Sequence, residues 1–171
     1  MDGKLARTSK DRKMITGGPT IILCEPQLGE NIGMVARAMA NFGLSNLRLV
    51  NPREGWPNEK AERASAKAVH VIAGVKVFDN LPSAIADLNY VLATTARDRD
   101  GYKPVLGPVV AAQELRSRDT SGQATGILFG RERWGLNNEE ISLSDAIVTF
   151  PVNPAFASLN IAQAVLLMSY E

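Results

Sequence analysis

Six short apolar runs set the limits on what this chain can fold into. They are TIILC (20–24), LRLV (47–50), VKVF (75–78), YVLAT (90–94), TGILF (125–129) and AIVTF (146–150). Most are continuously apolar rather than alternating apolar and polar, so they predict strands covered on both faces. Helix-like stretches separate them, with starts expected near Asn31, Glu59, Leu81, Val109, Asn137 and Ser158. Strand–helix alternation of this kind predicts an α/β fold, a mostly parallel sheet flanked by helices. In such sheets ligands bind beyond the carboxyl ends of the strands. The loops after the strands are therefore where chemistry is expected.

The 171 residues suffice for one domain with a sizeable core, and 45% hydrophobic with 22% charged residues is an ordinary globular balance. No apolar run approaches the ~18 residues of a membrane span, and the N-terminus lacks the apolar stretch of a signal peptide. A single cysteine, Cys24, excludes an internal disulfide. Together these predict a cytoplasmic protein. Net charge is +1, but residues 1–13 alone carry +3 (Lys4, Arg7, Lys10, Arg12 and Lys13 against Asp2 and Asp11), leaving −2 on the remainder. Residues 1–18 read as a flexible basic arm and 19–171 as the folded domain. Any face that meets a polyanion on that domain must be a local patch.

Four loops carry polar residues in suggestive patterns. In EPQLGENIGMVARAMANFG (25–43), Asn31 is placed to cap a helix, and Ile32, Val35, Ala36 and Met39 form its apolar stripe. Gly33, Arg37 and Asn41 fall on another face, where the glycine admits a close neighbour, backbone or ligand. Arg37 offers a fork of donors suited to phosphate, although a surface arginine on an ordinary capped helix has the same pattern. In TTARDRDGYKP (94–104), Thr94 and Thr95 put hydroxyls and amides at a strand end, with Arg97 and Arg99 offset by Asp98 and Asp100. In GRERWGLNNEE (130–140), Gly130 permits a sharp turn, Gly135 permits positive φ, and Glu132 can accept hydrogen bonds from loop amides or substrate. Arg131 and Arg133 are expected to face phosphate. In FPVNPAFASLNIAQAVLLMSYE (150–171), two prolines stiffen a loop, and Ser158, Leu159 and Asn160 put free amides at a helix start.

Other chemistries lack support. There is no GxxxxGK[ST] and no GxGxxG, and one histidine with one cysteine cannot make a Cys/His zinc site. His70 and Cys24 read as packed residues.

The order and identity of the loops are more specific than any one of them. Asn31-x-Gly33-x-x-x-Arg37 with Asn41-Phe42-Gly43, then FGRERWGL (129–136), then Pro151 to SLN (158–160), resemble the three motifs of the SpoU/TrmH branch of the SPOUT RNA 2′-O-methyltransferases over about residues 19–171. Within it, GRERWGLNNEE and TTAR look most like the TrmJ subgroup, which methylates the ribose of nucleotide 32 in the tRNA anticodon loop. Trp134 stands where a smaller or less aromatic residue is expected, and Thr95 where serine is common.

The resemblance implies a sheet whose C-terminal segment passes through a loop as a deep trefoil knot, an exception to the usual absence of knots. It implies a homodimer with the site at the interface, and no metal. S-adenosylmethionine (AdoMet) would be held by Thr94, Thr95, Ala96, Gly130, Phe150, Ser158, Leu159 and Asn160. Arg37 matches the catalytic arginine, supported by Asn31, Glu132, Ser158 and Asn160. RNA would meet Arg37, Arg97, Arg131 and Arg133. TrmJ-like proteins often carry a further C-terminal segment that grips tRNA, and this sequence stops just after the third motif, as a truncated domain or a compact homologue would. The alternatives are a 2′-O-methyltransferase of the tRNA wobble nucleotide or of ribosomal RNA, and a non-catalytic RNA-binding module.

Overall fold

Among the described residues (12–97, 101 and 103–171), the computed structural model has one seven-stranded sheet in which every pairing is parallel. Along the chain run β1 (Thr20–Cys24), α1 (Gly29–Asn41), β2 (Leu47–Val50), α2 (Glu59–Ala64), α3 (Val69–Ala73), β3 (Lys76–Phe78) and α4 (Leu81–Ile85). There follow β4 (Tyr90–Thr94), β5 (Val105–Leu106), α5 (Pro108–Thr120), β6 (Thr125–Phe129), α6 (Asn138–Ser142), β7 (Ala146–Val148), a short 3-10 turn (Pro154–Phe156) and α7 (Ile161–Tyr170). The expected basic arm and Arg99 lie mostly or wholly outside the described residues.

The continuous apolar strands are explained by two cores. Ile21 and Leu23 of β1 face one core with residues of α1, α2, α3, α5 and α7, while Ile22 and Cys24 face the other with α4 and α6. Successive strand residues point to opposite faces, so covering both faces demands apolar residues at every position. Burial pushes the Cys24 thiol up to about 12, which leaves it a neutral packing group. The charged exception among the described strand residues is Arg48, buried in β2. It donates to the Ala84 carbonyl (2.6 Å) and in a fork to both Asp87 oxygens (2.6 and 2.8 Å).

The spatial order is β3-β2-β1-β6-β4-β7-β5. It makes neighbours of β1, β6, β4 and β7, the four strands whose following loops the sequence singles out. Residues far apart in sequence thus converge at one carboxyl edge.

Several boundaries differ from the sequence expectation. The first helix opens at Gly29, two residues before Asn31, which therefore lies inside its first turn rather than capping it. The last strand ends at Val148 instead of residue 150, and the last helix starts at Ile161, not Ser158. Its cap is Asn160, whose Oδ1 accepts from the Ala162 amide (2.8 Å), with Gln163 closing a capping box. Two short elements, α3 and β5, are additional to the expected set. Gly33 admits a backbone and not a ligand: a methyl there would lie 2.7 Å from the Ala64 Cβ and nearer still to the Ala61 carbonyl, so it is the contact point of α1 and α2.

Candidate functional site

The loops after β4, β6 and β7 enclose a cavity of about 940 Å³, lined among others by Thr94, Thr95, Ala96, Arg97, Gly130, Glu132, Phe150, Ser158 and Leu159. Seven of the eight residues expected to hold a cofactor line it; Asn160 does not. Its deep wall is apolar, from the buried Phe129, Leu136, Ile147 and Ile161. Its polar rim is partly fixed already. Thr94 Oγ1 donates to the Leu128 carbonyl (2.8 Å), and Thr95 Oγ1 accepts from the Arg97 amide (3.1 Å). The amides of Ser158 and Leu159 make no hydrogen bond among the described residues, so they remain available to a polar ligand. Size, an apolar wall and a few polar groups are what a small-molecule pocket requires.

The glycine turn builds one side of the cavity. Arg131 and Gly135 pair across it, amide to carbonyl in both directions (3.3 and 2.8 Å). Gly135 has φ +69°, and a methyl on Gly130 would lie 2.6 Å from the Gly135 oxygen and closer to the peptide that follows. Only glycine lets the turn fold back on the strand end this tightly.

Arg131 anchors the turn. Its Nε donates to Glu25 Oε2 (2.5 Å), its Nη1 and Nη2 fork onto both Glu140 oxygens (3.1 and 2.9 Å), and Nη1 also reaches the Gly135 carbonyl (3.2 Å). The two carboxylates hold the guanidinium charge even more firmly than usual, Glu140 most. Expected to face RNA, Arg131 is instead enclosed, because two acidic residues from other elements claim its donors. Glu25 reaches it from the end of β1 with φ +48°, a left-handed conformation uncommon for a residue with a side chain.

Glu132 ties the turn to the first motif. Its carboxylate accepts from the Gln27 amide (3.2 and 3.0 Å), the Leu28 amide (3.3 Å) and Asn31 Nδ2 (2.9 Å). It thus does the work at the start of α1 that the sequence assigns to Asn31. Leu28 occupies the cap position and has no capping side chain; Glu132 takes its amide and Glu54 Oε2 takes that of Gly29 (2.9 Å), two carboxylates where the helix dipole favours negative charge. Asn31 Oδ1 in turn lies 3.5 Å from Asn160 Nδ2. One polar chain, Glu132–Asn31–Asn160, therefore joins all three motifs beside the cavity.

Arg37 stands apart. It is exposed on α1, does not line the cavity and has no partner among the described residues. Arg97 and Arg133 are exposed at the cavity rim and form no ion pair among the described residues. Trp134, Leu136, Thr149 and Val152 also line the cavity, and sequence reasoning did not select them. The position of Trp134 inside the glycine turn was the available signal. His70 lies on α3, away from the cavity. No group of three His, Cys, Asp or Glu among the described residues could hold a metal ion.

Residues 18–170 match the SpoU rRNA Methylase family. The TrmJ tRNA (cytidine/uridine-2′-O-)-methyltransferase of Sodalis glossinidius is 41% identical over 152 residues, which is 88% of this chain and 58% of that protein. The uncharacterized tRNA/rRNA methyltransferase LasT of Escherichia coli is 36% identical over 156 residues, 89% of this chain and 66% of that protein. The crystal structure of TrmJ from Z. mobilis superposes with a TM-score of 0.86 at 51% identity, covering 90% of this chain and 67% of that one. The chain thus spans about three fifths of the length of the curated relatives it matches. The match takes in every strand of the sheet and all three loops around the cavity, and on that ground the chain belongs to the SpoU rRNA Methylase family.

Proposed function

We propose that the chain is an AdoMet-dependent tRNA 2′-O-ribose methyltransferase acting on cytidine or uridine 32 of the anticodon loop, in the cytoplasm and as a homodimer with the C-terminal segment knotted. The observation that carries this reading is one cavity walled by the second and third motif loops and the loop after β4, with the Glu132–Asn31–Asn160 chain tying the first motif to it. The names of the relatives support the substrate class.

The residues present fit AdoMet. The apolar wall of Phe129, Leu136 and Ile147 suits a purine, the free amides of Ser158 and Leu159 suit polar groups, and Gly135 leaves open the space that a side chain there would fill. Thr94, Thr95, Ala96, Gly130 and Phe150 complete the proposed contacts, with Asn160 acting from behind through its cap and its contact to Asn31. When bound, AdoMet would supply a methyl group activated by positive sulfur; the ribose 2′-oxygen would take it, its hydroxyl proton passing to water, and a neutral thioether would remain.

The chain's part is to hold that hydroxyl. A guanidinium resists deprotonation, so Arg37 serves best by binding the adjacent phosphate and orienting the hydroxyl, a role its five fixed donors suit. Glu132 and Asn31 keep the start of α1 in place, and α1 carries Arg37. A homodimer explains why Arg37 lies outside its own chain's cavity: pairing through α1 and α7 brings it to the cavity of the partner. Those helices pack together yet leave Met34, Phe42, Leu166, Leu167 and Tyr170 exposed, with Phe42 and Tyr170 edge to face at 5.7 Å. Exposed apolar residues on two packed helices suit an interaction surface.

Arg37→Ala tests the reading. Methyl transfer to unmodified tRNA should fall by a hundredfold or more, on the order of 3 kcal/mol of lost transition-state stabilisation, while AdoMet affinity stays within about twofold. Normal turnover in the variant overturns the assignment. Mapping the methylated nucleotide separates position 32 from the wobble position, and ribosomal RNA as substrate separates tRNA from rRNA specificity.

A further inference from the structure

We propose that Trp134 is a stacking platform for a base of the RNA substrate, with Arg97 and Arg133 beside it as phosphate contacts. The inference rests on the RNA methyltransferase reading above and names how that site grips its substrate.

Trp134 is 61% exposed at the tip of the glycine turn, while also lining the cavity. An exposed indole offers a flat apolar face and a polar N–H to a partner. Its loop is not loose. The Arg131–Gly135 pairing closes the turn, and the Arg131 contacts to Glu25 and Glu140 fix its base. The turn that carries the indole is therefore fixed before any ligand arrives, which lowers the ordering cost of binding.

Its surroundings specify the ligand chemistry. The Arg133 guanidinium lies over the ring at 4.9 Å, and Arg97 Nη2 donates to the Trp134 carbonyl (3.3 Å). Neither arginine has an ion pair among the described residues. An exposed aromatic ring with one guanidinium over it and a second on its backbone, neither ion-paired among the described residues, fits an unstacked base and its flanking phosphates. The cavity's own deep wall is made of buried Phe129, Leu136 and Ile147, so a small ligand inside has apolar cover without Trp134. The exposed indole faces what approaches from outside. Methylating the ribose of a loop nucleotide also requires that nucleotide to leave its stack, and a platform at the cavity rim receives the displaced base.

The sequence has two tryptophans, so a Trp56→Phe variant leaves Trp134 as the only indole. Titrating that variant with unmodified tRNA should quench its fluorescence, whereas AdoMet alone should change it little. In the otherwise native chain, Trp134→Ala should raise Kd and KM for tRNA roughly tenfold or more, leave AdoMet affinity unchanged, and be largely rescued by Trp134→Phe. The proposal is overturned if neither tRNA nor ribosomal RNA quenches Trp134, if Trp134→Ala binds RNA normally, or if its AdoMet affinity falls as far as its RNA affinity. The two readings fail separately. Ribose methylation with a normal KM in Trp134→Ala removes the platform and keeps the enzyme. Quenching and Trp134-dependent tRNA binding without methyl transfer keep the platform and remove the enzyme.

Discussion

Glu132 shows how one carboxylate can organise a site from outside the element it stabilises. It accepts from two loop amides and the Asn31 side chain at the start of α1, 101–105 residues away in sequence. Glu132→Ala leaves those donors without their anion, with Glu54 still accepting at the helix start. A loss of about 2 kcal/mol is expected, seen as a fall in Tm of roughly 4–8 °C for a chain of this size. An unchanged Tm would mean that water or another group replaces the carboxylate. The same pairing explains why the sequence misassigned Asn31. Asparagine just ahead of an apolar stripe is a good local cap signal, but the cap comes from a loop after a different strand. Likewise the charge of Arg131 was readable, and its two partners were not. Trp134 was noticed as unusual without a role, because its exposure depends on how the turn is held.

At the scale of elements, the strands were legible because burial on both faces leaves an unbroken apolar signature. All six expected runs form strands, with ends shifted by one or two residues in two of them. The missed β5 has two residues and α3 has five, too short for either period to show. The start of α7 moved to Ile161 because Asn160, not Ser158, forms the capping box. Gly33 is the most consequential packing position between helices. Gly33→Ala forces α1 away from α2, at a cost of about 1–3 kcal/mol by denaturant unfolding. Methyl transfer should fall with it, since α1 carries both Asn31 and Arg37. A variant as stable as the parent would show that the helices separate freely.

The whole molecule assembles what no local pattern specifies. Sheet order is set by long-range pairing, and it is this order that sets the loops after β1, β6, β4 and β7 side by side. The resemblance of the motifs anticipated their convergence; spacing alone did not. The same scale holds the question of which subunit supplies Arg37. In the proposed homodimer, mixing Arg37→Ala chains with chains whose cavity is blocked by Leu159→Arg would give mixed dimers. If Arg37 serves the partner's cavity, each mixed dimer has one intact site, and activity should return to about a quarter of normal for random pairing in a two-fold dimer. If Arg37 serves its own chain, mixing restores nothing.

The central claim is ribose methylation, and nucleoside analysis of the product tests it most directly. Unmodified tRNA incubated with the chain and AdoMet should yield 2′-O-methylcytidine or 2′-O-methyluridine, mapped to nucleotide 32. A chain that binds AdoMet yet leaves no ribose methyl on tRNA or ribosomal RNA, or methylates bases only, would contradict the account.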